Sequence, residues 1–335
     1  PRMVWGVEDI VMCPGKEDMF NFLEDIIREV VPLFPGKYFH IGGDECPKTS
    51  WKHCPTCQKR IQNEGLQADG KHSAEERLQS YVIKRMEKML AKYDRKIIGW
   101  DEILEGGLSP DATVMSWRGT SGGISAALQK HDVIMTPGSG GLYLDHYQGD
   151  YKIEPVTIPS APAYLSRTYN YEPVPDTIKS LGLEKHILGV QCNNWSEYMY
   201  TNAKMEYQMY PRSLALAEIA WSPAKKKNFT DFSRRVDANS VRLDEHHVRY
   251  HIPLPEQPYG SCDKVVITKD TVVTFQTSRP MKMVYTLDGT LPTPASAVYT
   301  EPIKVSGNTI IKIATVLPSG KMSKIRTIDV EKQGY

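Results

Sequence analysis

Five short apolar segments, each followed by a pattern typical of a helix, constrain the fold of this chain more than any other feature. Their centres are rich in β-branched residues, as expected for strands buried on both faces of a parallel sheet. The segments span residues 37–41, 95–99, 112–116, 132–135 and 186–190. Strands that alternate with helices indicate parallel pairing through right-handed crossovers. Residues 1–250 therefore predict an α/β fold.

Helical periodicity occupies the intervals between these segments. Apolar residues recur at helical spacing from Met19 to Val30 and from Leu78 to Leu90. Ser73 and Glu76 form a capping-box signature at the start of the second of these helices. Further helices are predicted over residues 124–130, 203–221 and 229–247.

The number of strand–helix units falls short of a closed barrel. An eight-stranded (β/α)8 barrel needs roughly 250 residues, yet only five units are recognised, none of them before residue 37. We therefore expect an α/β fold of the (β/α)8 TIM-barrel type, with the first strands missing from this chain. The bare edges of five parallel strands would then have to be covered by something else.

The pattern changes after residue 251. Three prolines between residues 253 and 258 mark a linker. Short alternating runs over residues 265–330, with a turn signal at Asp288-Gly289, predict a small antiparallel β-sandwich of roughly seven strands. The predicted organisation is a catalytic barrel portion over residues 1–252, a linker over 253–261 and a C-terminal sandwich over 262–335.

Composition excludes two classes of partner. Lys and Arg number 41 and Asp and Glu number 40, so the net charge is +1. This balance argues against a nucleic-acid-binding surface, which needs an excess of basic residues. No apolar run reaches about 18 residues, so no membrane span is expected, and no signal peptide is visible at the start of the chain.

The role of one group among the six cysteines stays open. Cys54 and Cys57 form a CxxC motif, and Cys46 lies just upstream. A zinc site would need a fourth ligand, for which His53 is the only near candidate. Without a second CxxC motif, buried thiols or one local disulfide are the simpler interpretation, and no metal is predicted.

Aromatic and acidic residues collect where the predicted strands end, which is where active sites lie in α/β barrels. These residues are Asp44 and Glu45; Trp100, Asp101 and Glu102; Trp117 and Arg118; Tyr143 and Asp145; and Trp195 and Glu197. Sugars are bound by this combination, because their C–H faces stack on aromatic rings and their hydroxyls bond to carboxylates. Each residue alone has a simpler interpretation as core packing, a helix cap or a solvated charge. Their coincidence favours a sugar-binding mouth.

A pair of glycines precedes the acidic pair. Neighbouring residues on a strand face opposite ways. Gly42 and Gly43 permit a sharp turn and close approach of the backbone to a ligand. We therefore expect Asp44 and Glu45 to reach one pocket.

Taken together, these motifs resemble a known family. Residues 40–45, His-Ile-Gly-Gly-Asp-Glu, resemble the signature of glycoside hydrolase family 20, the β-N-acetylhexosaminidases. The later blocks, in the order of the family, are Gly99-Trp100-Asp101-Glu102, Ser116-Trp117-Arg118-Gly119, Tyr143-Leu144-Asp145 and Asn194-Trp195-Ser196-Glu197. Residues 262–330 are similar to the β-sandwich that follows the barrel in bacterial members.

The resemblance implies exo-hydrolysis of terminal β-linked N-acetylglucosamine or N-acetylgalactosamine with net retention. The nucleophile is then the substrate's own 2-acetamido oxygen, which forms an oxazolinium intermediate. By resemblance, Glu45 is the general acid and base, and Asp44 orients and stabilises the acetamido group. The resemblance also implies that the Tyr143 hydroxyl donates a hydrogen bond to the attacking oxygen. The implied substrate-binding residues are Trp100, Trp117, Asp145, Trp195 and Glu197.

The resemblance also implies a glycan substrate, no cofactor, and a periplasmic or extracellular location. The family uses an arginine from the first barrel strand and upstream Asp and His residues, for which we find no counterpart here; Arg2 is a poor substitute. Slow or no turnover is therefore expected of this chain alone. Two other interpretations stay open: a retaining barrel glycosidase with a carboxylate nucleophile, and a non-catalytic carbohydrate-binding protein.

Overall fold

A computed structural model describes residues 6–334. The chain divides into two compact units: Pro1–Gly138 with Pro173–Val190, and Ser139–Glu172 with Gln191–Tyr335. Arg2 lies outside the described residues. The predicted boundaries at residues 252 and 262 remain predictions.

The elements of the described residues are numbered here in chain order. The α-helices are α1 (Glu17–Val30), α2 (Thr49–His53), α3 (Pro55–Asn63), α4 (Ala74–Ala91), α5 (Ser121–Leu128), α6 (Leu165–Asn170), α7 (Asp176–Ser180), α8 (Asn202–Met209), α9 (Arg212–Trp221) and α10 (Phe229–Glu245). The strands are β1 (Tyr38–His40), β2 (Lys96–Trp100), β3 (Thr113–Ser116), β4 (Val133–Met135), β5 (Ile187–Val190), β6 (Lys264–Ile267), β7 (Thr271–Val273), β8 (Lys282–Thr286), β9 (Ala297–Val298), β10 (Ile303–Val305), β11 (Thr309–Val316) and β12 (Arg326–Lys332).

The first unit is built on a five-stranded parallel sheet in the order β1-β2-β3-β4-β5. All four residues of β3 (Thr-Val-Met-Ser) are buried, as are the last four of β2 (Ile-Ile-Gly-Trp), as expected for strands covered on both faces. Helix α4 packs on β2, and α5 packs on β3 and β4. All five predicted strands are confirmed, and with them the α/β fold.

Local capping chemistry fixes the start of α4. The Ser73 hydroxyl accepts a hydrogen bond from the Glu76 amide at 3.1 Å, and the Glu76 carboxylate accepts one from the Ser73 amide at 2.6 Å. The predicted capping box is therefore confirmed, and it satisfies two backbone donors that a helix terminus leaves unpaired.

Two predicted helices needed correction. The single helix expected over residues 203–221 is two helices, because α8 ends at Met209 and α9 begins at Arg212. Pro211 lies between them and has no amide hydrogen to continue the first helix. The short helix expected over residues 124–130 begins earlier, at Ser121, and ends at Leu128.

The second unit contains a small β-sandwich preceded by helices. One sheet has the order β6-β12-β11-β8-β9, and β10 pairs with β7 in a second sheet. Their inward faces enclose an apolar core that includes Ile311, Ile313, Ile328 and Val330, each fully buried. The predicted sandwich of seven strands is confirmed. The expected antiparallel pairing is wrong for β6 and β12, which run parallel, because two strands so far apart in sequence are not constrained by a hairpin.

The helices of the second unit have their own apolar cluster. Leu165 and Tyr169 of α6 pack with Ala215 of α9 and with Phe232 and Val236 of α10. Residues 250–256, which follow α10, are buried. No helix in the described part of the chain is long and apolar enough to cross a membrane.

Candidate active site

The acidic pair of the first unit follows a tight turn at the carboxyl end of β1. Gly42 and Gly43 have φ angles of +74° and +97°. The Trp100 amide donates to the Gly42 carbonyl at 2.9 Å, which fastens the turn to the end of β2. A Cβ atom on Gly43 would lie 2.6 Å from Cγ2 of Ile103, so only glycine fits there. The turn therefore fixes the position of the Asp44 backbone just beyond the end of β1.

A wall of aromatic rings stands at the same strand ends. The rings of His40 and Trp100 lie 4.7 Å apart, and those of Trp100 and Trp117 lie 6.5 Å apart, edge to face. The Gly42 amide donates to Nδ1 of His40 at 3.0 Å. Burial lowers the pKa of His40, and the charge of Asp44 opposes this shift. Asp44 is therefore within electrostatic reach of a ring that packs on Trp100.

Acidic side chains behind this wall hold Trp117 in place. Nε1 of Trp117 donates to Oε2 of Glu102 at 2.8 Å, and Nε of Arg118 donates to Oδ1 of Asp101 at 2.6 Å. Both carboxylates are buried. Burial raises the pKa of Glu102, while the Trp117 indole and the Arg118 charge act against the rise. Glu102 therefore holds the Trp117 indole directly, while Arg118 pairs with Asp101 and lies 3.6 Å from Glu102.

In the second unit, the segments around Tyr143 and Trp195 lie side by side. The Leu144 amide donates to the Asn193 carbonyl at 2.7 Å, and the Asn193 amide donates to the Leu142 carbonyl at 2.9 Å. This pairing brings the rings of Tyr143 and Trp195 to 6.3 Å, edge to face. Trp195 is 40% exposed and can still offer a ring surface to a ligand.

Asp145 is a deeply buried acidic side chain of this unit. It is 2% exposed, and neither of its carboxylate oxygens has a hydrogen-bond partner of good geometry among the described residues. Burial raises its pKa to about 6, against the opposing influence of the Trp195 amide, and the charge of nearby Glu197 adds to the rise. A buried, unpaired acceptor is costly, and a ligand hydroxyl would relieve this cost.

One functional residue escaped the sequence analysis. Arg212, at the start of α9, is fully buried. Its guanidinium group donates to four backbone carbonyls, those of Leu144, His146, Ala163 and Gln208. An arginine at the start of a mostly apolar helix was the available signal. Because two of these carbonyls flank Asp145, Arg212 sets the path of the backbone that carries this carboxylate.

The predicted site residues are thus divided between the two compact units. The first contains Asp44, Glu45, Trp100 and Trp117, and the second contains Tyr143, Asp145, Trp195 and Glu197. The structure brings members of each set together within its own unit. Their individual catalytic and binding roles stay predictions.

A parallel α/β sheet whose carboxyl ends carry an acidic pair and tryptophans, in a chain that continues into a β-sandwich, defines the TIM-barrel glycoside hydrolase class. The model of the glycosyl hydrolase family 20 catalytic domain matches residues 1–224, and that of the chitobiase/beta-hexosaminidase C-terminal domain matches residues 265–327. The chain therefore belongs to glycosyl hydrolase family 20.

Relatives of known name agree. A beta-hexosaminidase of Porphyromonas gingivalis is 57% identical over 337 residues, which cover 100% of this chain and 42% of that protein. A beta-hexosaminidase of Vibrio furnissii is 34% identical over 217 residues, 64% of this chain and 34% of that protein. The chain thus spans less than half the length of these relatives.

Solved structures show the same similarity. The GH20 exo beta-N-acetylglucosaminidase of Vibrio harveyi, in complex with N-acetylglucosamine, has a TM-score of 0.66 at 30% identity, covering 72% of this chain and 37% of that one. The beta-N-acetylhexosaminidase of Bacteroides fragilis has a TM-score of 0.60 at 26% identity, covering 72% and 47%. The TIM-barrel-type fold is therefore confirmed.

Proposed function

We propose that the protein to which this chain belongs is a β-N-acetylhexosaminidase. It removes terminal, non-reducing β-linked N-acetylglucosamine or N-acetylgalactosamine from glycans, with retention of configuration. One observation supports this most directly: the acidic pair follows the Gly42–Gly43 turn, and its first member, Asp44, lies within electrostatic reach of the His40 ring, which packs on Trp100. The complex of the Vibrio harveyi relative with N-acetylglucosamine supports this sugar as the ligand.

In the proposed reaction, the substrate supplies its own nucleophile. Asp44 accepts the acetamido N–H and orients the group, so that the carbonyl oxygen attacks the anomeric carbon. A nucleophile held within the substrate gains a large effective molarity. The positive charge that develops on the oxazolinium ring is stabilised by the Asp44 carboxylate, which the turn holds in place before the reaction begins.

Glu45 performs the proton transfers in this scheme. It donates a proton to the departing glycosidic oxygen as the bond to the anomeric carbon breaks. It then takes a proton from the water that opens the oxazolinium ring, which restores the carboxylic acid and gives the retained product. The Tyr143 hydroxyl donates a hydrogen bond to the attacking acetamido oxygen.

The remaining residues are proposed to bind the sugar. Trp100, Trp117 and Trp195 contact its C–H faces and the acetamido methyl group. Asp145 and Glu197 accept hydrogen bonds from its hydroxyls. The deep burial of Asp145, whose carboxylate oxygens have no hydrogen-bond partner of good geometry among the described residues, is the observation that favours this role. We also propose a periplasmic or extracellular location, because bacterial members of the family commonly act there.

Substitution in the complete protein tests the proposed acid. Glu45→Gln should lower hydrolysis of an aryl N-acetyl-β-glucosaminide by about 100-fold or more, the usual contribution of a general acid or base. Glu64→Gln, which changes an exposed carboxylate of the same unit, is the matched control and should leave the rate unchanged. Unchanged activity in Glu45→Gln would refute the assignment.

A second experiment separates the alternatives. An N-acetylglucosamine-thiazoline mimics the oxazoline and should strongly inhibit the complete protein. An enzyme with a carboxylate nucleophile would not be strongly inhibited by it. An aryl β-glucoside without the acetamido group should not be hydrolysed. Binding of N-acetylglucosamine with no hydrolysis by the complete protein would instead identify a carbohydrate-binding protein.

A further inference from the structure

Three cysteines outside the candidate active site lie together in the first unit. Cys13 precedes α1, whereas Cys54 and Cys57 flank the start of α3. The sulfur of Cys13 is 3.4 Å from that of Cys57 and 3.6 Å from that of Cys54, and all three sulfurs lie within 4.8 Å of one another. None of them forms a disulfide. Cys13 thus joins two cysteines that lie 41 and 44 positions later in the sequence, and the three supply one compact group of thiols.

The backbone around this group is built for close approach. A Cβ atom on Gly15 would lie 2.3 Å from the carbonyl carbon and 2.4 Å from the carbonyl oxygen of Thr56, so no other residue fits there. The Trp51 indole donates to the Met12 carbonyl at 2.9 Å and fixes the residue just before Cys13. The loop carrying Cys13 therefore lies tightly against the CxxC segment at Gly15 and is hydrogen-bonded to α2 through Met12.

Backbone amides point at the sulfurs. The Gly15 amide hydrogen-bonds to the Cys57 sulfur, and the Cys57 amide hydrogen-bonds to the Cys54 sulfur. The hydroxyl of Thr56 lies 3.2 Å from the Cys13 sulfur and 3.1 Å from the Cys54 sulfur. Such donors favour thiolates, which are the form that ligates metals; at Cys57 the Gly15 amide acts against burial, which raises the pKa of that thiol.

Exposure of the group is one-sided. Cys57 is fully buried in an apolar cluster with Trp51 and Leu78. Cys13 and Cys54 are half-buried, and Thr56 beside them is exposed. One face of the sulfur triangle is thus open to solvent while the opposite face is packed.

The spacing matches that of a metal–thiolate site. Zn²⁺ binds thiolates at about 2.3 Å, which places tetrahedral sulfur ligands about 3.8 Å apart. The two sulfur–sulfur distances from Cys13, 3.4 and 3.6 Å, are within a few tenths of an ångström of this value. A disulfide would bond two of the three sulfurs and leave the third as a free thiol, whereas a metal ion can be ligated by all three.

We propose that Cys13, Cys54 and Cys57 bind a zinc ion, with a water molecule from the open face as the fourth ligand. Binding displaces the three thiol protons, so the bound ion and its thiolates together carry a net charge of −1. The sequence had suggested Cys46 and His53 as companions of the CxxC motif, but neither belongs to this group. The site would fasten the start of α1 to α3, independently of the proposed glycosidase activity.

Cobalt provides a direct probe of this site. Reduced, metal-free protein is titrated with Co²⁺, whose tetrahedral thiolate complexes show ultraviolet charge-transfer bands and intense visible bands. We expect one equivalent to bind and Zn²⁺ to displace it. Cys13→Ser, Cys54→Ser and Cys57→Ser should each weaken binding by more than about 100-fold, since loss of an outer partner alone costs about 10–100-fold. Cys46→Ser, a half-buried cysteine of the same apolar cluster, is the matched control and should bind normally.

A second measurement uses the unaltered protein and so does not depend on the folding of any variant. Native alkylation followed by mass spectrometry should show that Zn²⁺ protects Cys13, Cys54 and Cys57 but not Cys192 or Cys262. No tetrahedral signal with all six thiols reduced, equal protection of all cysteines, or a disulfide within the group in the protein as isolated would each overturn the proposal.

Discussion

Replacement of Gly43 by alanine tests the turn that carries the acidic pair. Its φ angle of +97° is one that L-residues rarely adopt, which costs about 1–3 kcal/mol. The added Cβ atom would also lie 2.6 Å from Cγ2 of Ile103, and overpacking of this kind costs about 1–3 kcal/mol. Together the two effects should lower the free energy of unfolding by roughly 2–6 kcal/mol, a large part of the stability of an ordinary domain.

The two contributions can be separated by denaturant unfolding followed through tryptophan fluorescence. Gly65→Ala is the control for strain alone, because its φ angle is +63° and nothing lies within 4 Å of the added atom; it should cost about 1–2 kcal/mol. Ile103→Leu removes the β-branch at nearly constant volume, so in combination with Gly43→Ala it should recover the overpacking cost. In the complete protein, Gly43→Ala should also lower kcat far more than Gly65→Ala.

Two outcomes would refute this reasoning. If Gly43→Ala and Gly65→Ala were equally destabilising, the contact with Ile103 would not be tight. If Gly43→Ala lost stability as expected but kept full activity in the complete protein, the turn would not position the carboxylates proposed to be catalytic.

Three further predictions concern stability. Folding raises the pKa of Asp145 from 3.8 to about 6, so between these pH values the native state binds a proton that the unfolded state has released. The free energy of unfolding should therefore fall by up to about 3 kcal/mol as the pH rises through this interval. Urea unfolding should show this fall in the wild type and its loss in Asp145→Asn. Arg212→Met leaves four buried carbonyls without their donor and should cost at least ~3 kcal/mol; an unchanged melting temperature would contradict the role given to Arg212. Ser73→Ala should cost about 1 kcal/mol and Ser73→Thr much less, since only the alanine lacks a capping oxygen; equal melting temperatures for the two variants would show that the cap contributes little.

The strands and their ends could be predicted from sequence because the relevant signals are local. A strand buried on both faces tends to have a continuous apolar sequence, as in the last four residues of β2. The capping box of α4 lies within four residues, 73–76. Since parallel strands end at one edge, the residues that follow them could be collected into one candidate site before any coordinates were considered.

The features that were missed depend on contacts between distant residues. Cys13 joins Cys54 and Cys57 across 41 positions or more, and no spacing rule connects them. The parallel pairing of β6 with β12 likewise joins the two ends of the sandwich. Arg212 bonds to carbonyl oxygens, which every residue has, so its partners leave no trace in the sequence. The helix break at Pro211 is different, because its signal, a proline inside the predicted helix of residues 203–221, is present in the sequence.

The hydrogen bond between Gly42 and His40 has a consequence for the protonation state of the strand end. Because the Gly42 amide donates to Nδ1, that nitrogen must keep its lone pair, and the ring carries its single proton on Nε2. The backbone thus selects one tautomer of a neutral imidazole, and the burial that lowers its pKa keeps the ring neutral over a wider range of acidity. In a protonated His40 ring, the N–H at Nδ1 would face the Gly42 N–H, and the hydrogen bond that holds Gly42 would be lost. The loop bearing the carboxylates is therefore anchored to a base that must stay uncharged.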